Sequence, residues 1–424
     1  MLLRDINSIK KYLFYDVFSY FIDAGIKNEK DRYLQKKGIA RSRFVYSFSK
    51  IFLYLLNLIY KIKLKKNKPH EQSIYFYADP LTYSDIVFEL SKNYNLFFNN
   101  PLRVDKRIRF KSNIFYFPFV KQATDLTNGF LNKKDNQILE SINQIKSILE
   151  TTKPKIIVLY DSTFPINRAI IQVSKELGIR TIEIQHATYP IKSKLLPGLG
   201  ADFLYVWGEY FKEMYEKQKI RNDDSIKILG YPFESNLKNN LLQNRKLTLY
   251  YLAQGFQYED IKNLDRLLEN ALYLKNLSNT LNITFKCKLH PNSPKVLLDK
   301  VLPHLECNPL DQTMENAIND GDIFVSFNST ALIKAAFQGK KCFQLMNLPV
   351  ECDNFEELGI CKTFLDLNEL NAYLTNLLKS DKDNILNEGN SINDKYIKTF
   401  NCGPGMRFAN LIEEIESNNH YEKN

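Results

Sequence analysis

Two polar residues stand directly behind strand-like runs in the middle of the chain: Asp161 after Lys155–Tyr160 (KIIVLY) and His186 after Arg180–Gln185 (RTIEIQ). A carboxylate and an imidazole so placed can act as a general base. A histidine near neutral pKa takes a proton from a hydroxyl, and a carboxylate orients it or replaces it. Further on, Lys288-Leu289-His290-Pro291 closes another apolar run, and Asn328-Ser329-Thr330 stands between DIFVSF and the helical stretch ALIKAAFQ. Helix N-termini carry unpaired N–H groups and a positive dipole end, so this position favours phosphate. The hydroxyls of Ser329 and Thr330 can add hydrogen bonds, and His290 suits a phosphate leaving group as donor and charge partner. Between LTLYYL and its helix, Ala253-Gln254-Gly255 is a small-residue turn where a nucleotide can approach the backbone. Structural readings stand beside these. Asp161-Ser162-Thr163 is also a helix cap, Ser or Thr before a helix is the commonest N-cap, and a lone histidine often serves only as a hydrogen-bonded structural residue. The placement of several such groups at strand ends gives the pattern its weight.

The elements that must position these groups alternate between short β-rich runs and amphipathic helical stretches from Gln72 onward, as in α/β units around a parallel sheet. In the first half, strands are expected at Ser73–Ala78, Asn95–Phe98, Ile114–Phe119, Lys155–Tyr160, Arg180–Gln185, Phe203–Trp207 and Ile226–Leu229. Helices are expected at Leu81–Lys92, Asn136–Glu150, Ile166–Leu177 and Glu209–Lys219. Ser235–Lys246 is polar and asparagine-rich and reads as a linker. The alternation then restarts: strands at Leu247–Leu252, Ile283–Leu289, Asp322–Phe327 and Cys342–Leu345, with helices at Glu259–Leu277, Ser293–Val301, Gln312–Ile318 and Thr330–Gln338. The expected fold is two Rossmann-like doubly wound domains facing each other across a cleft, with an extra helical N-terminal segment. The expected divisions are 1–70, a helical segment; 71–240, an acceptor domain; 246–385, a nucleotide domain; and 386–424, a C-terminal helix and tail. Ligands of open parallel sheets bind outside the carboxyl ends of the strands, which is where Asp161, His186, His290 and Ser329 fall. One right-handed crossover joins the strands before Asp161 and His186, so both should emerge at the same edge.

The chain has 424 residues, of which 44% are hydrophobic and 25% charged, ordinary for a globular protein long enough for two cores. The net charge of +10 comes from lysines scattered along the chain, so a nucleic-acid partner is not expected. One basic concentration is local. Ile51–Lys68 joins an apolar run (IFLYLLNLIYKI) to Lys61–Lys68 (KIKLKKNK), too short for the roughly twenty residues that span a bilayer. It reads either as a buried helix ending in a solvated linker or as a helix lying on an anionic membrane surface. The N-terminus lacks the pattern of a cleaved signal peptide, and the 6 cysteines show neither a CxxC pair nor a His/Cys cluster. The expected setting is cytoplasmic, with peripheral contact at the inner face of the plasma membrane as the second possibility. No strand-end Asp-x-Asp of the kind that holds a bridging metal is present, so neither a metal nor a bound cofactor is expected.

The motifs together resemble known transferases. KLHPNSP, followed by FVSFNSTALIKAAFQGKKCFQL, is similar to the His-Pro and Ser-Ser/Thr motifs of bacterial sialyltransferases and polysialyltransferases, two-domain enzymes of the GT-B kind. The same order is found in CDP-glycerol glycerophosphotransferases and capsule Kdo transferases. IEIQHATYP, ADFLYVWGEYFKEMY and ILGYP resemble the Gln-His-Gly, Trp-Gly and Leu-Gly-Tyr/Asn-Pro runs of capsule and teichoic-acid transferases. The resemblance covers about Pro154–Leu345, less than half the chain by ordinary domain sizes. It implies that His290, Pro291, Asn328, Ser329 and Thr330, with Gln254 and Gly255, hold the donor nucleotide, and that His186 is the base. Sialyltransferases instead draw the base from an acidic motif ending in glycine. Glu259-Asp260 stands in the corresponding order before His-Pro but lacks that glycine, and Asp320-Gly321-Asp322 comes after it. Ala187 replaces the glycine that usually follows Gln-His. The implied activity is inverting, metal-independent transfer of a sugar onto a glycan or glycolipid hydroxyl. A CMP-activated nonulosonic acid, sialic-acid-like or Kdo-like, is the first choice of donor. Alternatives are CDP-polyol phosphate transfer, UDP-sugar epimerisation, and a non-catalytic glycan-binding protein of the same architecture.

Overall fold

The computed structural model describes residues 6, 13, 72–99, 105, 107–108, 111–116, 119–160, 162, 164–186, 200–217, 223–233, 246–253, 261–289, 307–308, 314–348, 352–380 and 394–418. Two parallel sheets organise them. The first contains β1 (Ser73–Phe76), β2 (Asn95–Phe98), β3 (Ile114–Tyr116), β4 (Ile156–Leu159), β5 (Arg180–Ile184), β6 (Phe203–Val206) and β7 (Ile226–Ile228) in the order β3-β2-β1-β4-β5-β6-β7. The second contains β8 (Thr248–Leu252), β9 (Thr284–Lys288), β10 (Cys307–Asn308), β11 (Ile323–Ser326), β12 (Lys341–Leu345) and β13 (Lys362–Phe364) in the order β10-β9-β8-β11-β12-β13. Counted within each sheet, both follow the doubly wound order 3-2-1-4-5-6, with β7 added to the first. Each therefore has a topological switch point beside its first strand, between β1 and β4 and between β8 and β11. The two-domain α/β architecture expected from the sequence is present.

Strands such as IIVL of β4 and TLYYL of β8 are buried on both faces, as sheets covered by helices on both sides require. Alternate side chains then feed different cores. Ile74 and Phe76 of β1 face one cluster and Tyr75 the other; Leu249 and Tyr251 of β8 face one and Tyr250 and Leu252 the other. The covering helices of the first domain are α1 (Ser84–Leu90), α2 (Val120–Leu131), α3 (Asp135–Thr152), α4 (Pro165–Glu176) and α5 (Glu209–Lys217). Those of the second are α6 (Ile261–Thr280), α7 (Met314–Asp320), α8 (Thr330–Phe337) and α9 (Leu367–Ser380). In α3 the buried Ile138, Ser141, Ile145, Leu149 and Thr152 recur at helical spacing. At the N-terminus Ile6 and Leu13 are helical, and Leu13 is buried in the first-domain core. The rest of that segment, with Ile51–Lys68, lies outside the described residues, as do the linker after Phe233 and the stretch Ser293–Val301. Among the described residues no helix is long and apolar enough to cross a membrane.

One core belongs to both domains. Trp207, Phe211, Met214, Tyr215 and Tyr231 of the first pack with Tyr250, Phe324, Leu332 and Ile333 of the second. The chain also returns to the first domain. Residues 394–400 run past α5, with Tyr210 donating its N–H to the Lys395 carbonyl (3.0 Å) and Lys398 to the Trp207 carbonyl (2.9 Å). A Cβ on Gly208 would meet the Tyr396 carbonyl oxygen at 2.4 Å, so only glycine lets this strap pass. Helix α10 (Pro404–Asn418) then places Phe408, Ile412 and Ile415 in the first-domain core. It begins with a proline in the first helical turn, where the missing N–H costs nothing.

Candidate functional site

At the carboxyl edge of the first sheet, His186 follows β5 by two residues and is half-buried. Its ring meets Tyr160, the residue after β4, edge to face at 5.2 Å, and Phe233 at 6.5 Å. The preceding residue is rigidly held. The Gln185 N–H donates to the Tyr205 carbonyl (2.8 Å), and the Gln185 Oε1 accepts the Trp207 backbone N–H (2.9 Å). The Trp207 indole N–H in turn donates to the Gln185 carbonyl (3.0 Å). The Gln-His and Trp-Gly segments of the sequence are thus two halves of one bracket.

Asp161 itself lies outside the described residues, but its neighbour Ser162 is buried and fixed from two sides. The Ser162 N–H donates to the Glu183 carboxylate (3.1 Å), and the Arg168 Nε donates to the Ser162 carbonyl (2.7 Å). Glu183 and Arg168 are both buried, so the turn after β4 rests on a carboxylate and a guanidinium inside the domain. Burial pushes the Tyr215 hydroxyl well above its ordinary pKa, with the Glu183 and Asp353 charges adding to the effect. Tyr77, beyond β1, is pushed up by burial and by Tyr160.

The second sheet presents different chemistry at its switch point. Ser329 is the N-cap of α8, in an extended conformation, and its Oγ accepts the Ala331 N–H at 3.2 Å. A hydroxyl engaged as an acceptor retains its own proton for donation. Asn328 and Thr330 flank it, and all three are half-exposed. Gln254, Gly255, Glu259, His290 and Pro291 lie outside the described residues. Lys288, the last residue of β9, is buried with its Nζ 3.4 Å from the Leu289 carbonyl. Asp320 and Asp322 belong to the opposite edge of the sheet. Asp322 accepts the Thr248 N–H (2.8 Å), while Asp320 accepts from the Tyr250 hydroxyl (2.6 Å) and from Lys286 (2.5 Å). These two carboxylates bind the amino end of the sheet together. Among the described residues no group of three or more His, Cys, Asp or Glu side chains is arranged to hold a metal ion.

Glu183, Arg168, Phe233 and the Trp207 bracket were not singled out by sequence. Glu183 had a visible signal, a carboxylate inside the strand RTIEIQ where both neighbours are apolar. Phe233 had none, because its approach to His186 depends on how the chain turns at Gly230.

No protein-family model matches the sequence, and no curated protein matches it. Solved structures of similar fold do exist. The chain is similar to the S. aureus MnaA–UDP co-structure, with 13% identity and a TM-score of 0.54 over 82% of this chain and 96% of that one. It is similar to Methanocaldococcus jannaschii UDP-GlcNAc 2-epimerase in complex with UDP-GlcNAc and UDP, with 15% identity and a TM-score of 0.54 over 81% and 99%. It is also similar to the wall teichoic acid polymerase TagF, H444N variant, with 12% identity and a TM-score of 0.52 over 89% and 99%. The fold is that of two Rossmann-like domains of the GT-B kind.

Proposed function

We propose that the protein is a glycosyltransferase that moves a sugar from a nucleotide-activated donor to a hydroxyl of a glycan or glycolipid. The observation that carries this reading is the pairing of two unlike carboxyl edges on one scaffold: an anchored histidine in the first domain and a hydroxyl-capped helix terminus at the switch point of the second. The donor phosphate lies at the start of α8, where Ser329, Thr330 and the helix N–H groups neutralise the charge of the departing nucleotide. His186 takes the proton from the acceptor hydroxyl as that oxygen attacks the anomeric carbon, and the bond to the nucleotide phosphate breaks. Asp161 and Glu259 are the alternative bases. The basic run Ile51–Lys68 supports contact with an anionic membrane face, where a glycolipid acceptor would lie.

The His-Pro and Ser-Thr motifs favour a cytidine nucleotide, with a CMP-activated nonulosonic acid first. A second reading is UDP-sugar epimerisation, supported by the fold shared with the UDP-bound MnaA and UDP-GlcNAc 2-epimerase structures. Thermal melting with CMP, CDP, UDP and GDP, followed by product analysis, tests both. Stabilisation by CMP together with acceptor-dependent CMP release is the expected result. A phosphodiester in the product would mean polyol-phosphate transfer, and turnover of a UDP-sugar without acceptor would mean epimerisation.

A further inference from the structure

Trp207 is the protein's only tryptophan, and it is almost completely buried in the core shared by the two domains. Its two ends face different partners. The indole N–H donates to the carbonyl of Gln185, the peptide unit that leads into His186 (3.0 Å), while the indole ring meets Tyr231 edge to face at 5.2 Å. Tyr231 in turn packs on Phe337, the last residue of α8, at 5.0 Å, and on Phe233 at 5.2 Å. Phe233 returns to the His186 ring. Helix α8 therefore reaches His186 by two short chains of packed groups, one through Trp207 and Gln185 and one through Phe233. The start of the same helix carries Ser329 and Thr330.

We infer that Trp207 is a positioning residue: its indole N–H fixes the peptide before His186 while its ring registers that peptide against α8 of the second domain. This rests on the reading of His186 as the base, which it deepens. The bracket is strong because both of its hydrogen bonds join fully buried residues, where water does not compete for them. A phenylalanine in its place keeps most of the ring packing and removes only the donor. The Gln185 carbonyl then loses its indole donor, and the peptide can tilt about its remaining bonds to Tyr205 and to the Trp207 N–H. A shift of that kind at a base matters out of proportion to its size, since a misplacement of about 1 Å can cost about a hundredfold in rate.

The test is Trp207→Phe in the full chain with ε1-13C-histidine labelling, where the 5 histidines give few resonances and His186→Gln assigns the relevant one. The expected result is a moved His186 resonance with an altered titration midpoint. Melting shifts with CMP or UDP stay at wild-type size, and turnover falls by about tenfold or more with donor KM unchanged. An unmoved His186 resonance and midpoint in a folded Trp207→Phe protein would overturn the inference. In case this variant does not fold, the wild-type protein supplies a second measurement. Its single indole N–H resonance should resist hydrogen exchange for hours, and exchange within the mixing time would equally overturn the positioning role. Failure of the base assignment is seen separately: His186→Ala would keep full turnover while the Trp207→Phe resonance shift persisted.

Discussion

The two sheets share a strand order but differ in what stands at their carboxyl edges. The first edge is built from side chains locked onto backbone: Gln185 and Trp207 before His186, and Glu183 and Arg168 around Ser162. The second offers a helix terminus with hydroxyls, half-exposed, where the Ser329 side chain caps the Ala331 N–H. Proton transfer depends on the direction and distance of one ring, so it gains from a rigid, partly apolar setting. Phosphate binding depends on several N–H groups summed over a helix end and tolerates more motion. The same topology thus supports an edge that fixes one group and an edge that gathers many weak donors.

Loss of His186 is the most damaging change this contrast predicts. His186→Ala is expected to lower turnover by about a hundredfold or more while nucleotide-induced thermal shifts stay at wild-type size. Steady-state rates of nucleotide release, with the melting assay alongside, check both halves. Full retained turnover would move the base to Asp161 or Glu259. The next largest effect falls on stability and should again divide the domains. Arg407 of α10 donates to the carbonyls of Leu229 (2.6 Å), Tyr231 (3.1 Å) and Cys402 (2.5 Å) and lies over the Phe400 ring at 4.8 Å. Arg407→Met strands buried carbonyls on both sides of Gly230 and is expected to cost about 3 kcal/mol in urea unfolding. Hydrogen exchange should quicken at residues 226–233 and remain slow in β11 and β12. Equal loosening of both sheets would show that α10 stabilises the whole molecule rather than the first domain.

Much of this contrast was legible in the sequence, and the physical reason is local. Runs such as KIIVLY and LTLYYL are apolar on both faces, and RTIEIQ and DIFVSF are rich in β-branched or aromatic residues, so they announce strands and place the residues that follow them at carboxyl edges. Ser329 was legible as a cap because the helix it starts is strongly apolar. The elements that were missed lack such contrast. Strand β10 is two residues long, β13 begins at an exposed lysine, and α2 and α9 carry polar residues through much of their length. What could not be read at all is long-range. The strap over Gly208, the return of α10 and the approach of Phe233 to His186 join residues far apart in the chain, and no local periodicity encodes them.

At the second edge a smaller change separates helix capping from ligand binding. Ser329→Ala removes both the bond to the Ala331 N–H and a phosphate donor, with an expected stability loss of about 1 kcal/mol. Ser329→Gly restores most of the capping preference, to within a few tenths of a kcal/mol, but not the hydroxyl. If the hydroxyl binds phosphate, both variants weaken nucleotide binding alike by calorimetry while only the alanine variant melts early. Nucleotide affinity that follows stability instead would reduce Ser329 to a structural cap.

The smallest effect lies on the strap between the domains. The Asp394 carboxylate accepts from Lys398 (2.5 Å) and from the Thr399 N–H (2.7 Å) and hydroxyl (2.6 Å), and these bonds lower its pKa from 3.8 to about 2. A folded-state value below the unfolded one means that the stabilisation is complete above about pH 4, the unfolded carboxylate range, and is lost as pH falls through the folded value. The pair is nearly half-exposed, so solvent screening leaves a contribution of only a fraction of a kcal/mol. Asp394→Asn should therefore melt slightly below the wild type between pH 5 and pH 7, with a constant gap, and the two curves should converge as the pH falls toward 2. A gap that widens on acidification would show that the charge at Asp394 does not hold the strap, leaving Gly208 and the backbone bonds of Lys395 and Lys398 to do so.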